Sequence, residues 1–313
     1  MIEVLLLLAL PASGKSEIRR YLDTLSAGER METFGLRPMV QLDDFPYVHL
    51  MRRISEEAEH LGVAPPFFAG PGPFIDQRDW GTLIHLINQD YAALSGPGSQ
   101  ETSAGRWLVR RMVNAREAAG AGPSFDFLDT AVVRHIEESI DGEARLLLEE
   151  VSARRLEPGG TVLIEFARGG PAGSSCPLPA PFGYQYSLSL LAAPILERSA
   201  ALYIWVTPEE SRQKNRERSI PGEEGSILHH GVPEQVMMDD YGMDDFRWLM
   251  SQSPLDGTIE VKSGDRILEL PAAVFDNRGD LTSFLREDPA SWSDEDLAGL
   301  RAGLADAFRR LSE

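Results

Sequence analysis

At 313 residues, 42% of them hydrophobic, the chain has the composition of an ordinary globular protein with one large or two small domains. Thirty Lys and Arg against 49 Asp and Glu give a formal charge of −19, which disfavours a nucleic-acid polymer or an anionic membrane as partner. A single cysteine, Cys176, excludes an internal disulfide and a cysteine-based zinc site and fits a reducing, cytoplasmic compartment.

The first predicted element is an apolar run over residues 4–10, ended by Pro11. Glu3 stands within the opening stretch and no basic segment precedes it, so the run reads as a buried parallel strand rather than a signal peptide. From Ser16 the period changes. Ile18, Tyr21, Leu22 and Leu25 fall on one helical face, and Gly28 supplies a stop. A second strand over residues 38–42 runs into Asp43 and Asp44. A Pro/Gly/aromatic loop over residues 62–73 precedes a helix marked by Trp80, Leu83, Ile84, Ile87, Tyr91 and Leu94.

Helical patterns follow over residues 106–119 and 125–151, then a strand over 161–166 and a long Gly/Pro/Ser loop over 168–183. The strand over 201–206 leads into a helix opened by Thr207, Pro208 and Glu210, a capping box with proline at the first helical position. A hairpin over 258–270, a last strand ending at Phe275 and a C-terminal helix from Ser293 complete the pattern. Strands alternating with helices predict a parallel α/β sheet, with residues 1–61 and 152–313 forming the core and 62–151 a helical insertion.

The segment from Ala9 to Ser16 joins the first strand to the first helix, which is where a phosphate-binding turn belongs. In the turn Pro11-Ala12-Ser13-Gly14 the backbone N–H groups, which proline lacks, and the positive helix end would receive phosphate oxygens, Lys15 would neutralise the β/γ charge, and the Ser16 hydroxyl would ligate Mg²⁺. The full pattern G-x-x-x-x-G-K-[ST] has glycine where this chain has Ala9. The alternative is an ordinary helix start, capped by Ser13 or Ser16.

LPASGKS resembles the LPGSGKS loop of small P-loop kinases, the zeta-toxin-like, uridine-kinase-like and nucleotide-kinase-like proteins, with Ala12 in place of a glycine. QLDDFPY (41–47) is similar to their strand-plus-Asp-Asp-Phe element, LIEFARGG (163–170) to their second acidic strand, VTPEESRQKNRERS (206–219) to their Arg-bearing lid helix, and AVFDNRGDL (273–281) to the last strand and turn beside the adenine. The resemblance implies a P-loop NTPase fold, a three-layer α/β sandwich, that binds ATP or another NTP with Mg²⁺, and it places Asn277 near the nucleotide. The segment 62–151 matches no part of that family.

Phosphoryl transfer needs groups that position reactants and neutralise spreading charge. Asp43 or Asp44, at a strand's C-terminal end, is the candidate acceptor contact or general base; either could instead cap the next helix. Glu165 could hold Mg²⁺ or polarise a nucleophile, or pair with Arg168. Arg212, Asn215 and Arg216 share one helical face and Lys214 and Arg218 the adjoining one, and together they would form a lid that excludes water, or a solvated helix paired with Glu209, Glu210 and Glu217. Arg106, Arg110, Arg111 and Arg116 give the insertion a basic face for an anionic acceptor or for acids elsewhere. The run Asp239, Asp240, Asp244, Asp245 reads as a solvated surface, and the adjacent His229 and His230 are ill-spaced to share a metal. The expected activity is an ATP- and Mg²⁺-dependent phosphotransferase acting on a small hydroxyl- or phosphate-bearing metabolite. The alternative is a nucleotide-dependent regulatory NTPase acting through a protein partner.

Overall fold

A computed structural model describes residues 1–96, 101–122, 125–218 and 231–311. Strand β1 (Val4–Leu8) is wholly buried, with Val4, Leu6 and Leu8 in one core and Leu5 and Leu7 in another, as the alternation of a strand covered on both faces requires. Helix α1 (Lys15–Thr24) follows. The predicted stop at Gly28 falls inside a second helix, α2 (Ala27–Phe34), because Ser26 caps it and Glu29 returns the bond to the Ser26 amide. Strand β2 (Met39–Asp43) then leads to α3 (Phe45–His60), with proline in its first turn.

Helices α4 (Asp79–Ala93), α5 (Ala104–Ala118), α6 (Thr130–Ser139) and α7 (Asp141–Ala153) make up the helical body; the pattern predicted over 125–151 divides at Ile140. Its core also takes in Tyr47, Leu50, Met51 and Ile54 of α3, so this body starts ahead of residue 62. Strand β3 (Thr161–Phe166) is followed, after the long loop, by short helices α8 (Gly183–Ser189) and α9 (Ala193–Leu196), then by β4 (Ser199–Trp205) and α10 (Pro208–Arg218). The predicted capping box is present: the Glu210 amide donates to Thr207 Oγ1 at 3.2 Å and the Thr207 amide to Glu210 Oε2 at 2.7 Å.

After α11 (Glu234–Asp239) and α12 (Phe246–Gln252), β5 (Thr258–Ser263) pairs antiparallel with β6 (Arg266–Asp276). The predicted hairpin arm and last strand are one strand, which turns to parallel pairing with β4 from Ala272. Pro271, with no N–H to give, stands at that changeover. Helix α13 (Asp294–Arg310) closes the chain, capped by Ser293.

The sheet runs β2-β3-β1-β4-β6-β5, parallel except for β5. Residues of α1, α2 and α13 share a core with one face, and residues of α4, α8, α9 and α12 with the other, which makes an α/β sandwich. Because β3 lies between β1 and β2, chain connections diverge on either side of β1, and its C-terminal end is a topological switch point. No helix among the described residues is long and apolar enough to cross a membrane.

Candidate functional site

The turn after β1 is held from behind by its carbonyl groups. Tyr184 donates its hydroxyl to Ala9 O at 2.9 Å, Ser211 to Pro11 O at 2.7 Å, and Asn277 donates Nδ2 to Ser13 O at 2.8 Å. Lys15 Nζ reaches back to Ala9 O and Leu10 O at 3.3 and 3.2 Å. The first bond of α1 runs from the Ile18 amide to Gly14 O, so the amides ahead of it lie at the positive helix end without helical partners. Residues 11–17 line a cavity of about 160 Å³ together with Asp43, Asp44 and Glu165.

Two residues of this turn are left-handed, Ala12 at φ 55° and Gly14 at φ 107°. Ala12 thus occupies with a side chain the kind of backbone well that glycine fills freely. At Gly14 no side chain fits, since a Cβ would stand 2.5 Å from Thr282 Oγ1 and 2.9 Å from Asn277 Nδ2. Gly14→Ala is expected to destabilise the fold by about 2–3 kcal/mol through backbone strain and loss of the Asn277 clamp, measured by denaturant unfolding. An unchanged midpoint would show that the turn yields freely.

Asp43 and Glu165 end adjacent strands in register, and Glu165 is also in register with Leu7 of β1. Ser16 donates its hydroxyl to Glu165 Oε1 at 3.4 Å. Arg19, one helical turn beyond Ser16, lies between the acids, 3.3 Å from Asp43 Oδ2 and 3.1 Å from Glu165 Oε2. Burial pushes the Asp43 carboxyl up to about 7, with the Arg19 guanidinium opposing and the Glu165 carboxylate adding to the rise. Asp44 instead accepts Arg168 Nη1 at 2.6 Å. The pairing of Glu165 with Arg168 weighed from sequence is therefore replaced: Arg168 turns to Asp44 and lies against the Trp80 and Phe166 rings, and Arg19 takes Glu165.

Other residues singled out from the sequence stand away from this cavity. Asn277 is fully buried behind the turn, its Nδ2 on Ser13 O and Thr282 Oγ1 and its Oδ1 on the Leu281 amide, and it does not line the cavity. Arg212 and Arg216 do not line it either: Arg216 is exposed and pairs with Glu234, whereas Arg212, its side chain 16% exposed, pairs with Glu209 and keeps Nη1 buried without a hydrogen-bond partner among the described residues. Lys214 is tied to Asp280 at 2.8 Å, and the Arg218 side chain, Ser219, His229 and His230 lie outside the described residues.

The acidic run is not a solvated face. Asp245 accepts the Tyr184 and Gln185 amides at the start of α8, Asp244 accepts the Tyr203 hydroxyl, and Asp240 is buried at the cavity wall. Of the four arginines on the insertion's basic face three pair with acids, the second of the two readings the sequence offered: Arg111 binds Asp90, Arg116 binds Asp79, and Arg110 binds Glu101.

Sequence reasoning did not single out Arg19, Tyr184, Ser211 or Tyr241. Arg19 was within reach, since it stands three residues after Ser16 and so on the same helical face. The other three act across 175 or more residues or on an unforeseen helix end, and carry no local signal. Compared with protein-family models, with curated proteins and with solved structures, the chain matches none.

Proposed function

We propose that this chain is a P-loop phosphotransferase that uses a nucleoside triphosphate, ATP or another, and Mg²⁺ to phosphorylate a small acceptor. The observation that carries the reading is one cavity lined by a strand-turn-helix loop with Gly14, Lys15 and Ser16, by two strand-end aspartates and by Glu165. The oxygen donors Ser16 and Glu165, 3.4 Å apart, suit a hard divalent cation, which when bound would neutralise charge developing on the phosphates. Ser16 and Glu165 are the residues that would hold it. The chain's own part is positional. Turn amides and Lys15 bind and orient the phosphates, Arg19 keeps Asp43 and Glu165 side by side, and Asp43 takes the proton of the acceptor hydroxyl. A cavity that continues past the aspartates to an apolar end favours a small acceptor over a switch whose sole ligand is the nucleotide.

The test is Mg²⁺-dependent ATP consumption stimulated by pooled hydroxyl-bearing metabolites, followed across pH. Asp43 must be ionised to act as base, so kcat is expected to rise with pH and level off above about 7. Asp43→Asn should lower kcat by about 10²–10⁴-fold and remove that limb. No stimulation by any pool would sink the reading, and a limb that survives in Asp43→Asn would move the base elsewhere.

A further inference from the structure

Beyond Asp43 and Asp44 the cavity changes character. Its wall there is Phe45, Phe68, Phe74, Trp80, Val236 and Tyr241. The rings brace one another: Phe68 and Phe74 stack at 4.3 Å, Phe74 meets Trp80 edge-on at 5.0 Å, and Trp80 meets Tyr241 at 5.4 Å. Such a wall is set before any ligand arrives, so little ordering is needed on binding.

The polar side chains that line this end are Asp44, His49, Arg52, Asp240 and Tyr241. Asp240 is 1% exposed, and neither carboxylate oxygen makes a hydrogen bond among the described residues, although the Gln77 amide and Trp80 indole are close enough to be felt. The Tyr241 hydroxyl sits amid the charges of Asp44, Arg168, Asp240 and Arg52. Among the described residues the Lys and Arg that line the cavity are Lys15, at the turn, and Arg52. Arg52 donates to Gly70 O and Gly72 O at 3.3 and 3.2 Å and lies 4.0 Å from the centre of the Phe68 ring. A second phosphate would need a bidentate arginine or an amide cradle. At this end Asp44 is already paired with Arg168, Arg52 is tied to the Gly70 and Gly72 carbonyls, and Asp240 adds an acceptor rather than a cation, so an anion meets no such cradle.

We infer that the acceptor carries its hydroxyl on a flat, apolar body of about one aromatic ring, bears no phosphate, and presents a hydrogen-bond donor toward Asp240. The inference rests on the phosphotransferase reading and narrows its acceptor to the hydroxyl class. In the transfer, the bond from the acceptor oxygen to the γ-phosphorus forms as that phosphorus leaves the β,γ-bridging oxygen. The hydroxyl proton passes to Asp43, and the nucleoside diphosphate departs with the bridging oxygen. A nucleoside and a simple aromatic alcohol share the required chemistry.

Binding is measured without nucleotide, by saturation-transfer NMR, for 2-(4-aminophenyl)ethanol and uridine against glucose 6-phosphate and uridine 5′-monophosphate. At least one of the first two is expected to bind tenfold or more tighter than either phosphate ester, and which of them does identifies the source. Asp240→Asn, which keeps the side-chain shape, should weaken that ligand at least fivefold, and Tyr241→Phe provides a second variant if the first fails to fold. Tighter binding of a phosphate ester, no binding of either alcohol, or an unchanged affinity in a folded Asp240→Asn protein would overturn the inference. The two readings fail separately. An alcohol that binds but is never phosphorylated defeats the phosphotransferase alone, and ATP-dependent phosphorylation confined to phosphate esters defeats the acceptor class alone.

Discussion

Lys15→Ala is expected to lower acceptor-stimulated ATP consumption by about 10²–10³-fold, the loss typical of removing one preorganised charge-stabilising donor. Lys15 is 8% exposed, and its ammonium already bends over the turn to Ala9 O and Leu10 O. Those carbonyls belong to the loop itself, so the ammonium is stored where the phosphates would arrive. Losing two such hydrogen bonds at the edge of a cavity costs about 1 kcal/mol each, which shifts the melting temperature by only a few degrees. The variant should therefore fold and yet show no thermal stabilisation by ATP, whereas the parent protein gains stability by mass action. Lys15→Arg is expected to restore little, because a planar guanidinium cannot follow the curl of the lysine stem. The measurement pairs ADP release with thermal shift, and turnover within fivefold of the parent would refute the role.

The parts of this site legible in the sequence were those whose signal is local. A wholly apolar run, a small-residue turn and an amphipathic helix are contiguous, so β1, residues 9–16 and α1 could be read in order. Asp43, Asp44 and Glu165 share one cavity because parallel strands bring their C-terminal ends to one edge, and an acid at the end of an apolar strand is conspicuous in the sequence. Partners were not legible. Arg168 follows Glu165 by three residues yet goes to Asp44, because β3 has ended by then and the loop carries it to Trp80, and Glu165 finds its cation on α1. Asn277 was placed beside a nucleotide by resemblance, and only packing against Ser13 and Thr282 reveals a clamp. Charge density misled on the Asp239 to Asp245 run and left the arginines of α5 open between an anionic ligand and acids elsewhere, because the count of charges in a segment says nothing of which element lies against it.

One of those arginines carries the largest expected stability effect. Arg116 is 4% exposed; its Nε donates to Asp79 Oδ1 at 2.9 Å, its Nη1 to Pro66 O at 3.2 Å, and its guanidinium lies 5.2 Å from the centre of the Phe67 ring. Arg116→Ala would leave the fully buried Asp79 facing a cavity, and removing one partner of a buried ion pair costs about 3–5 kcal/mol. For a chain of this size the melting temperature should fall by on the order of 10 °C.

The pH dependence identifies the cause. Burial already pushes the Asp79 carboxyl up to about 6 against the opposing charge of Arg116, so the folded protein binds this proton more tightly than the unfolded chain. Stability from this group is present at low pH and is lost as pH rises through about 6. Without Arg116 the carboxyl rises further, so the variant's deficit should be smaller at pH 5 than at pH 8, and Asp79→Leu added to an Arg116→Met background should recover part of it. A deficit equal at both pH values would assign the cost to lost packing alone. Trp80 directly follows Asp79 in α4 and forms part of the cavity wall, so a loosened helix start should also raise the acceptor KM. That links a pair buried in the helical body to the end of the cavity where the acceptor would be chosen.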